Sequence, residues 1–252
     1  MNAAGIIAAL DLPASALVGQ RVPKKLLVEN GAPTAADKRQ INEGIEEIHW
    51  VAALKPTTAG VPEYRDEVRE YLEIAVLSLD LRPKAKVGRL LELAHRAVPY
   101  PVFLVVFQGV DLTLSLAHKR WSQGEAGKAV LDGDVVAVSW DESMDSEHWG
   151  AFGKALALGR QPRANLFTVY QGWIDAVLAL EAARVTGGFA TPDSVEHSTA
   201  RREALQECAR LEMEIARLRS AAAKEKQLPR QVELNLELKR VQAQLAAAQT
   251  KL

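Results

Sequence analysis

Residues 102–107, "VFLVVF", place six apolar residues in succession with no polar position among them. A strand with one face in water alternates apolar and polar residues. An unbroken run needs cover on both faces, so this stretch predicts a central strand in a sheet packed between helices. Pro99 and Pro101 precede the run and Gly109 follows it. Proline offers no ladder donor, so both prolines must stand at the strand's start, and Gly109 suits a tight turn into the alternating "VDLTLSLAHKRW". Before the prolines, "KAKVGRLLELAHRAV" reads as a helix with Val87, Leu90, Leu91, Ala94 and Val98 along one side.

The flanking segments extend this pattern. In "PTAADKRQINEGIEEIHWVAAL", Thr34 is placed to cap a helix, with Asp37 three residues on as the capping acid. Ile41, Ile45 and Ile48 then recur at helical spacing and predict that helix's buried face. "HWVAALKP" follows as a strand ending at Pro56. In "EYLEIAVLSLDLRP", Leu72, Ile74, Val76 or Leu77, and Leu79 approximate strand alternation, with Pro83 at the exit. "DVVAVSW" supplies a further strand, and "NLFTVYQGWIDAVLALEAARVTG" a helix with Leu166, Val169, Trp173, Val177 and Leu180 inward. The expected fold class is α/β in the mixed α+β sense, a mixed sheet flanked by helices.

A second regime begins after Gly187, Gly188 and Pro192, where the chain turns rich in Ala, Leu, Glu, Arg, Lys and Gln. The expected domains are a mixed α/β domain over 1–190 and a helical hairpin over 191–252. Cys208, Leu211, Ile215, Leu218 and Ala222 step by three and four, as do Leu234, Leu238, Val241, Leu245, Ala248 and Leu252. Both rows are coiled-coil seams. The first, extended forward, meets Pro229, which starts helices and breaks them inside, so the turn is placed near "EKQLPRQ". Each arm of ~23 residues spans ~35 Å. A single bent helix pairing with another chain is the alternative.

Composition narrows the function classes. The 252 residues are 48% hydrophobic and 25% charged with a net charge of -1, which excludes a strongly basic nucleic-acid binder. Residues 199–252 nevertheless carry 11 Lys and Arg against 7 Asp and Glu, a net of +4, a mildly basic face. No apolar run reaches the length of a membrane span and "MNAAGIIAALDLP" lacks the features of a signal peptide, so a cytoplasmic location is expected. The lone Cys208 lies on the first seam and is expected to pack there.

Most catalytic signatures are missing. "GEAGKAV" around Lys128 has two residues between its glycines and Ala129 after the lysine, which does not make a phosphate-cradling loop. The histidines at 49, 95, 118, 148 and 197 lack the close ligand spacings of a zinc site, so no metal and no cofactor are expected. "WDESMDSEHW" gathers Asp141, Glu142, Asp145 and Glu147 without the glycine or spacing of a calcium loop. The tryptophans at 50, 121, 140, 149 and 173 are expected as core anchors. Arg21, Lys24 and Lys25 in "VGQRVPKKLLVENG" form a weak candidate for phosphate contact, read as a solvated loop.

The order of elements around "YLEIAVLSLDLRPK" resembles that of restriction-endonuclease-like nucleases. There a carboxylate and an acid-x-lysine pair on strands hold a metal ion that activates water. The resemblance implies catalytic roles for Asp80, Arg82 and Lys84, with Glu73 upstream on the same strand. Arginine replaces the expected lysine, and seven residues between Glu73 and Asp80 turn them to opposite faces of a regular strand. A relative that keeps the sheet without the metal is therefore preferred over a metal-dependent nuclease.

Three segments, "VPKKLLVENGAPTAADKRQINEGIEEIHWVAALKPTTAGV", "AVPYPVFLVV" and "EKQLPRQVELNLELK", together resemble a bacterial family defined only as a domain of unknown function, number 4391, over nearly the whole chain. The resemblance implies a neighbourhood of DNA methyltransferases and helicases in phage-defence or restriction-modification-like islands. The expected function is a non-catalytic accessory subunit that binds a methyltransferase, a helicase or a second copy of itself through Leu211, Ile215, Leu218, Leu234, Leu238, Val241 and Leu245 or the flank beside them. A DNA-binding adaptor using the basic tail is a further alternative.

Overall fold

A computed structural model describes residues 3–140 and 146–252. The chain divides into two compact units, Met1–Val177 and Leu178–Leu252.

The first unit opens with helix α1 (Ala3–Ala9), strand β1 (Leu17–Arg21) and helices α2 (Lys24–Gly31) and α3 (Ala35–Gly44). Thr34 caps α3 as its sequence predicts, its hydroxyl oxygen accepting from the Asp37 N–H at 3.1 Å. The helix stops at Gly44, however, and strand β2 runs from Ile45 to Leu54. Ile45 and Ile48 are thus strand residues, correcting the single helical face expected for them together with Ile41. A bulge explains why their spacing misleads. Ile45 pairs with Leu81 but Glu47 with Asp80, so β2 carries one extra residue at Glu46, and Ile45 and Ile48 reach the same face although three apart.

Short helix α4 (Pro56–Ala59) and the small ribbon of β3 (Tyr64–Arg65) and β4 (Glu70–Tyr71) lead to β5 (Ile74–Leu81). The alternation expected over 72–79 is replaced by burial on both faces from Ile74 to Leu79. Helix α5 (Val87–Ala97) crosses to β6 (Val102–Gln108), which lies parallel to β5. β6 turns at Gly109, whose φ of +65° a side-chain-bearing residue adopts at a cost, into antiparallel β7 (Asp111–Leu116). A second ribbon, β8 (Lys119–Trp121) with β9 (Ala129–Leu131), precedes β10 (Val136–Trp140) and helix α6 (Ser146–Leu156). Helix α7 spans Leu166–Thr186.

The six-stranded sheet runs β1-β2-β5-β6-β7-β10, mixed as expected, with "VFLVVF" in its interior. On one face Ile48, Leu77, Leu79, Leu104 and Val106 pack with Leu27, Ile41, Leu90 and Leu93 from α2, α3 and α5. Helix α2 comes close enough to α5 that a Cβ on Gly31 would lie 2.5 Å from the Leu93 carbonyl oxygen. On the other face Phe103 meets Trp173 edge-on at 5.3 Å, and the buried Tyr170 hydroxyl donates to the Val102 carbonyl at 2.7 Å. Burying two apolar faces on one central strand is the main driving force for this layering, at roughly 25 cal/mol per Å² removed from water.

Outside the core, Asp37 receives two hydrogen bonds from Arg89, at 2.8 and 3.0 Å, tying α3 to α5. Those bonds and the Thr34 hydroxyl hold the Asp37 carboxyl down at about 2 from an ordinary 3.8. A carboxyl depressed in the folded state stabilises above its unfolded value and loses that contribution as pH falls through its folded value. Acid unfolding followed by circular dichroism should therefore show a stability loss between pH 4 and 2 that is smaller in Asp37→Asn, itself less stable at pH 7.

In the second unit, α8 (Val195–Lys224) and α9 (Leu228–Gln249) pack as an antiparallel hairpin. Residues 225–227 make the turn, and Pro229 sits in the first turn of α9. The first arm is longer than the seam implies, because Ser194 caps it well upstream by accepting from the His197 N–H at 3.2 Å. Among the described residues no helix is long and apolar enough to cross a membrane.

Candidate functional site

The four residues that resembled a nuclease site are not brought together. Glu73 lies before β5 and not on it, and its carboxylate meets Lys55 at 3.2 Å. Asp80 lies at the far end of the eight-residue strand, roughly 23 Å away at 3.3 Å per residue. Arg82 follows the strand, its backbone N–H donating to the Gly44 carbonyl at 2.8 Å and its guanidinium reaching the Glu43 carbonyl at 3.5 Å. Lys84 occupies the following turn with a φ of +70°.

Asp80 has other neighbours. The pairing of Glu47 with Asp80 and of His49 with Ser78 sets Glu47, His49, Ser78 and Asp80 on the sheet face opposite Ile48 and Leu79. Glu47, His49 and Asp80 can each offer one ligand atom, and these atoms lie within 4.8 Å of one another. Burial, with Glu47 and Glu46 nearby, raises the Asp80 carboxyl above its ordinary range against the lowering effect of His49. His49 thus comes within ligand distance of two carboxylates, although the sequence spacing of the histidines is not that of a zinc site. The missed signal is "EEIHW": an acid two residues before a histidine shares a face on a strand, but on the helix expected there the two would diverge.

Arg21, Lys24 and Lys25 do not form one basic patch. Arg21 is on edge strand β1 and pairs with Glu47 at 3.0 Å. Lys24 donates to the Ile45 carbonyl, and Lys25 pairs with Glu29 at 3.5 Å one turn along α2. The solvated loop expected here is a strand followed by a helix.

His95 is sealed in the core. Its Nε2 lies 2.9 Å from the Ser115 hydroxyl, and burial, with the Lys119 charge beside it, pushes its pKa down to about 3. Lys119 borders a cleft of about 130 Å³ with Glu70, Tyr100, Arg120 and Trp121. Burial lowers its pKa to about 8, yet its ammonium is committed to the last turn of α5, donating to the carbonyls of His95 and of Val98, the latter at 2.6 Å. A cation at a helix C-terminus meets the negative end of the dipole, so this lysine works as a cap. Lys128 is paired with Glu125 at 2.8 Å. Of the acid-rich stretch, residues 141–145 lie outside the described residues.

In the hairpin, Leu211, Ile215, Leu218, Leu234 and Val241 are buried in the seam with Cys208, and Leu238 and Leu245 pack against them partly exposed. Burial, with Glu212 and Glu207 nearby, raises the Cys208 thiol above its ordinary value, which suits packing and not reactivity. The seam is thus spent on closing the hairpin, as a strip of alternate three- and four-residue steps predicts. Three of the 11 basic residues of the tail are paired within their own helices, Arg210 to Glu207, Arg217 to Glu214 and Arg230 to Glu233, at 2.6 to 2.8 Å. A second row on α9 was not anticipated. Leu228, Val232 and Leu236, four residues apart, are 73%, 52% and 60% exposed on the far side of the helix from the seam, and Met213 is similarly exposed on α8.

The class these features define is a mixed α+β chain with a C-terminal coiled-coil hairpin. The model of the family described as "Domain of unknown function (DUF4391)" matches residues 10–245, and the chain belongs to that family. No curated protein and no solved structure matches.

Proposed function

We propose that this chain is a non-catalytic accessory subunit of a bacterial anti-phage defence assembly, binding a DNA methyltransferase or helicase of the same cluster through its helical hairpin. The observation that carries this reading is the outward row of Leu228, Val232 and Leu236 beside a seam that is already closed. Large apolar side chains aligned on one helix face lose their hydration cost only when another surface covers them. The genomic neighbourhood implied by the family resemblance supplies the candidates for that surface.

The test is co-expression with the neighbouring methyltransferase and helicase genes, followed by affinity capture through this chain. Wild type should retain one of them. Val232→Asp with Leu236→Asp, which leaves the seam untouched, should weaken capture by at least about tenfold, each change removing more than ~1 kcal/mol from an interface centre. Equal capture by the double variant would overturn the reading. A second reading, metal-dependent phosphodiester cleavage, is favoured by the approach of Glu47, His49 and Asp80. Plasmid cleavage with Mn²⁺ that disappears in Asp80→Ala would support it in place of the first.

A further inference from the structure

Glu47, His49 and Asp80 are polar residues on a strand pair whose other face is core. Their arrangement depends on the ladder. Glu47 and His49 are two apart on β2 and so point the same way, and Asp80 stands directly opposite Glu47 on β5. All three side chains are partly exposed, so water reaches them and each can rotate without disturbing the core.

The distances suit a single ion. Three atoms within 4.8 Å of one another share a point at most ~2.8 Å from each, and bonds of ~2.0–2.2 Å need inward movements of under ~1 Å. The competing bonds are weak. Glu47 Oε2 and His49 Nε2 are 3.7 Å apart, too long for a good hydrogen bond. Glu47 Oε1 is held by Arg21 at 3.0 Å, and because the Arg21 side chain is 66% exposed that pair holds Glu47 back by no more than about several-fold. The Asp80 carboxylate has no hydrogen bond and no ion pair among the described residues.

We propose that Glu47, His49 and Asp80 form a binding site for one divalent transition-metal ion, Mn²⁺ or Zn²⁺, whose remaining coordination positions are taken by water. One imidazole with two carboxylates is the donor set that selects the ion. Mg²⁺ and Ca²⁺ prefer oxygen alone, Cu⁺ prefers sulfur, and a mixed nitrogen and oxygen set suits Zn²⁺ and Mn²⁺. Two carboxylates facing one another across a ladder repel, and a cation between them removes that repulsion. Arg21 is the competitor in this arrangement, since its guanidinium draws Glu47 towards β1. The site stands on this geometry alone and depends on neither functional reading.

The full-length chain, freed of metal with chelator, is titrated with Mn²⁺ while the resonance of the free aquo ion is followed, and with Zn²⁺ by calorimetry. One ion should bind per chain. His49→Ala and Asp80→Asn should each weaken binding by about tenfold or more, the scale on which even outer-shell partners act. Arg21→Ala should tighten it several-fold, and equimolar Mg²⁺ should not displace Mn²⁺. Circular dichroism establishes that each variant is folded. If a ligand variant does not fold, Arg21→Ala decides, because it removes only an exposed side chain. Absence of saturable binding by the wild type, unchanged binding in a folded ligand variant, or no tightening in Arg21→Ala each overturns the assignment. None of these outcomes bears on capture by the hairpin, so the two proposals fail separately.

Discussion

Replacing Leu218 with Asp should unravel the hairpin while the sheet stays folded. Leu218 has no exposed surface and sits mid-seam, between Ile215 and Ala222 on its own arm and facing α9. Truncating such a leucine to alanine costs ~2–5 kcal/mol, and an unpaired carboxylate at the same place adds several kcal/mol more. An arm of two helices cannot absorb that loss, because isolated helices are marginal in water and these are held by their shared face. Hydrogen exchange read by mass spectrometry should show amide protection lost over 195–224 and 228–249. Protection of β5 and β6 should persist. A cooperative loss across both regions, or none in either, would contradict the closed seam as the hairpin's main support.

The second large effect is expected at Trp173→Ala. The indole is fully buried, its Nε1 donates to the Leu156 carbonyl at 2.8 Å, and its ring meets Phe103 on the central strand. Truncating a buried tryptophan costs ~3–5 kcal/mol, and here the Leu156 carbonyl also loses its donor. Thermal unfolding of the first unit should fall by roughly 10 °C, at about 2–4 °C per kcal/mol for a unit of this size. Trp173→Phe keeps most of the ring area and loses only the hydrogen bond, so it should recover more than half of the difference. If the two variants melt alike, the hydrogen bond and not the packing is the larger contribution.

How much of this was legible in the sequence depended on how many constraints acted on each residue. Residues 102–107 carried one message because both faces of β6 are covered, and Thr34 and Pro229 because a cap and a helix start are local events. Ile45 and Ile48 carried two compatible messages: a spacing of three is helical in a regular chain and strand-like across a bulge, and only the pairing with β5 decides between them. The polar cluster followed the same error, since His49 gains its carboxylate neighbours only once β2 is a strand. Glu73 and Asp80 looked related because they are near in sequence, yet an extended strand separates neighbours faster than any other element. On the hairpin, the regular seam masked Leu228, Val232 and Leu236, which follow a plain four-residue step on the opposite side of α9.

The extra residue at Glu46 also limits how this chain can change length. Deleting it would leave a regular ladder in which Ile45 still faces Leu81 and Glu47 still faces Asp80, whereas losing a residue from the regular stretch 47–50 would turn one side of the strand over and exchange isoleucine for histidine against α5. Length changes in relatives should therefore fall at the bulge or in the connections before Ala35 and after Leu54, and leave 47–50 at constant length. A relative of altered length within 47–50, as opposed to one that lacks only the bulge, should also have lost the facing of acid, histidine and acid.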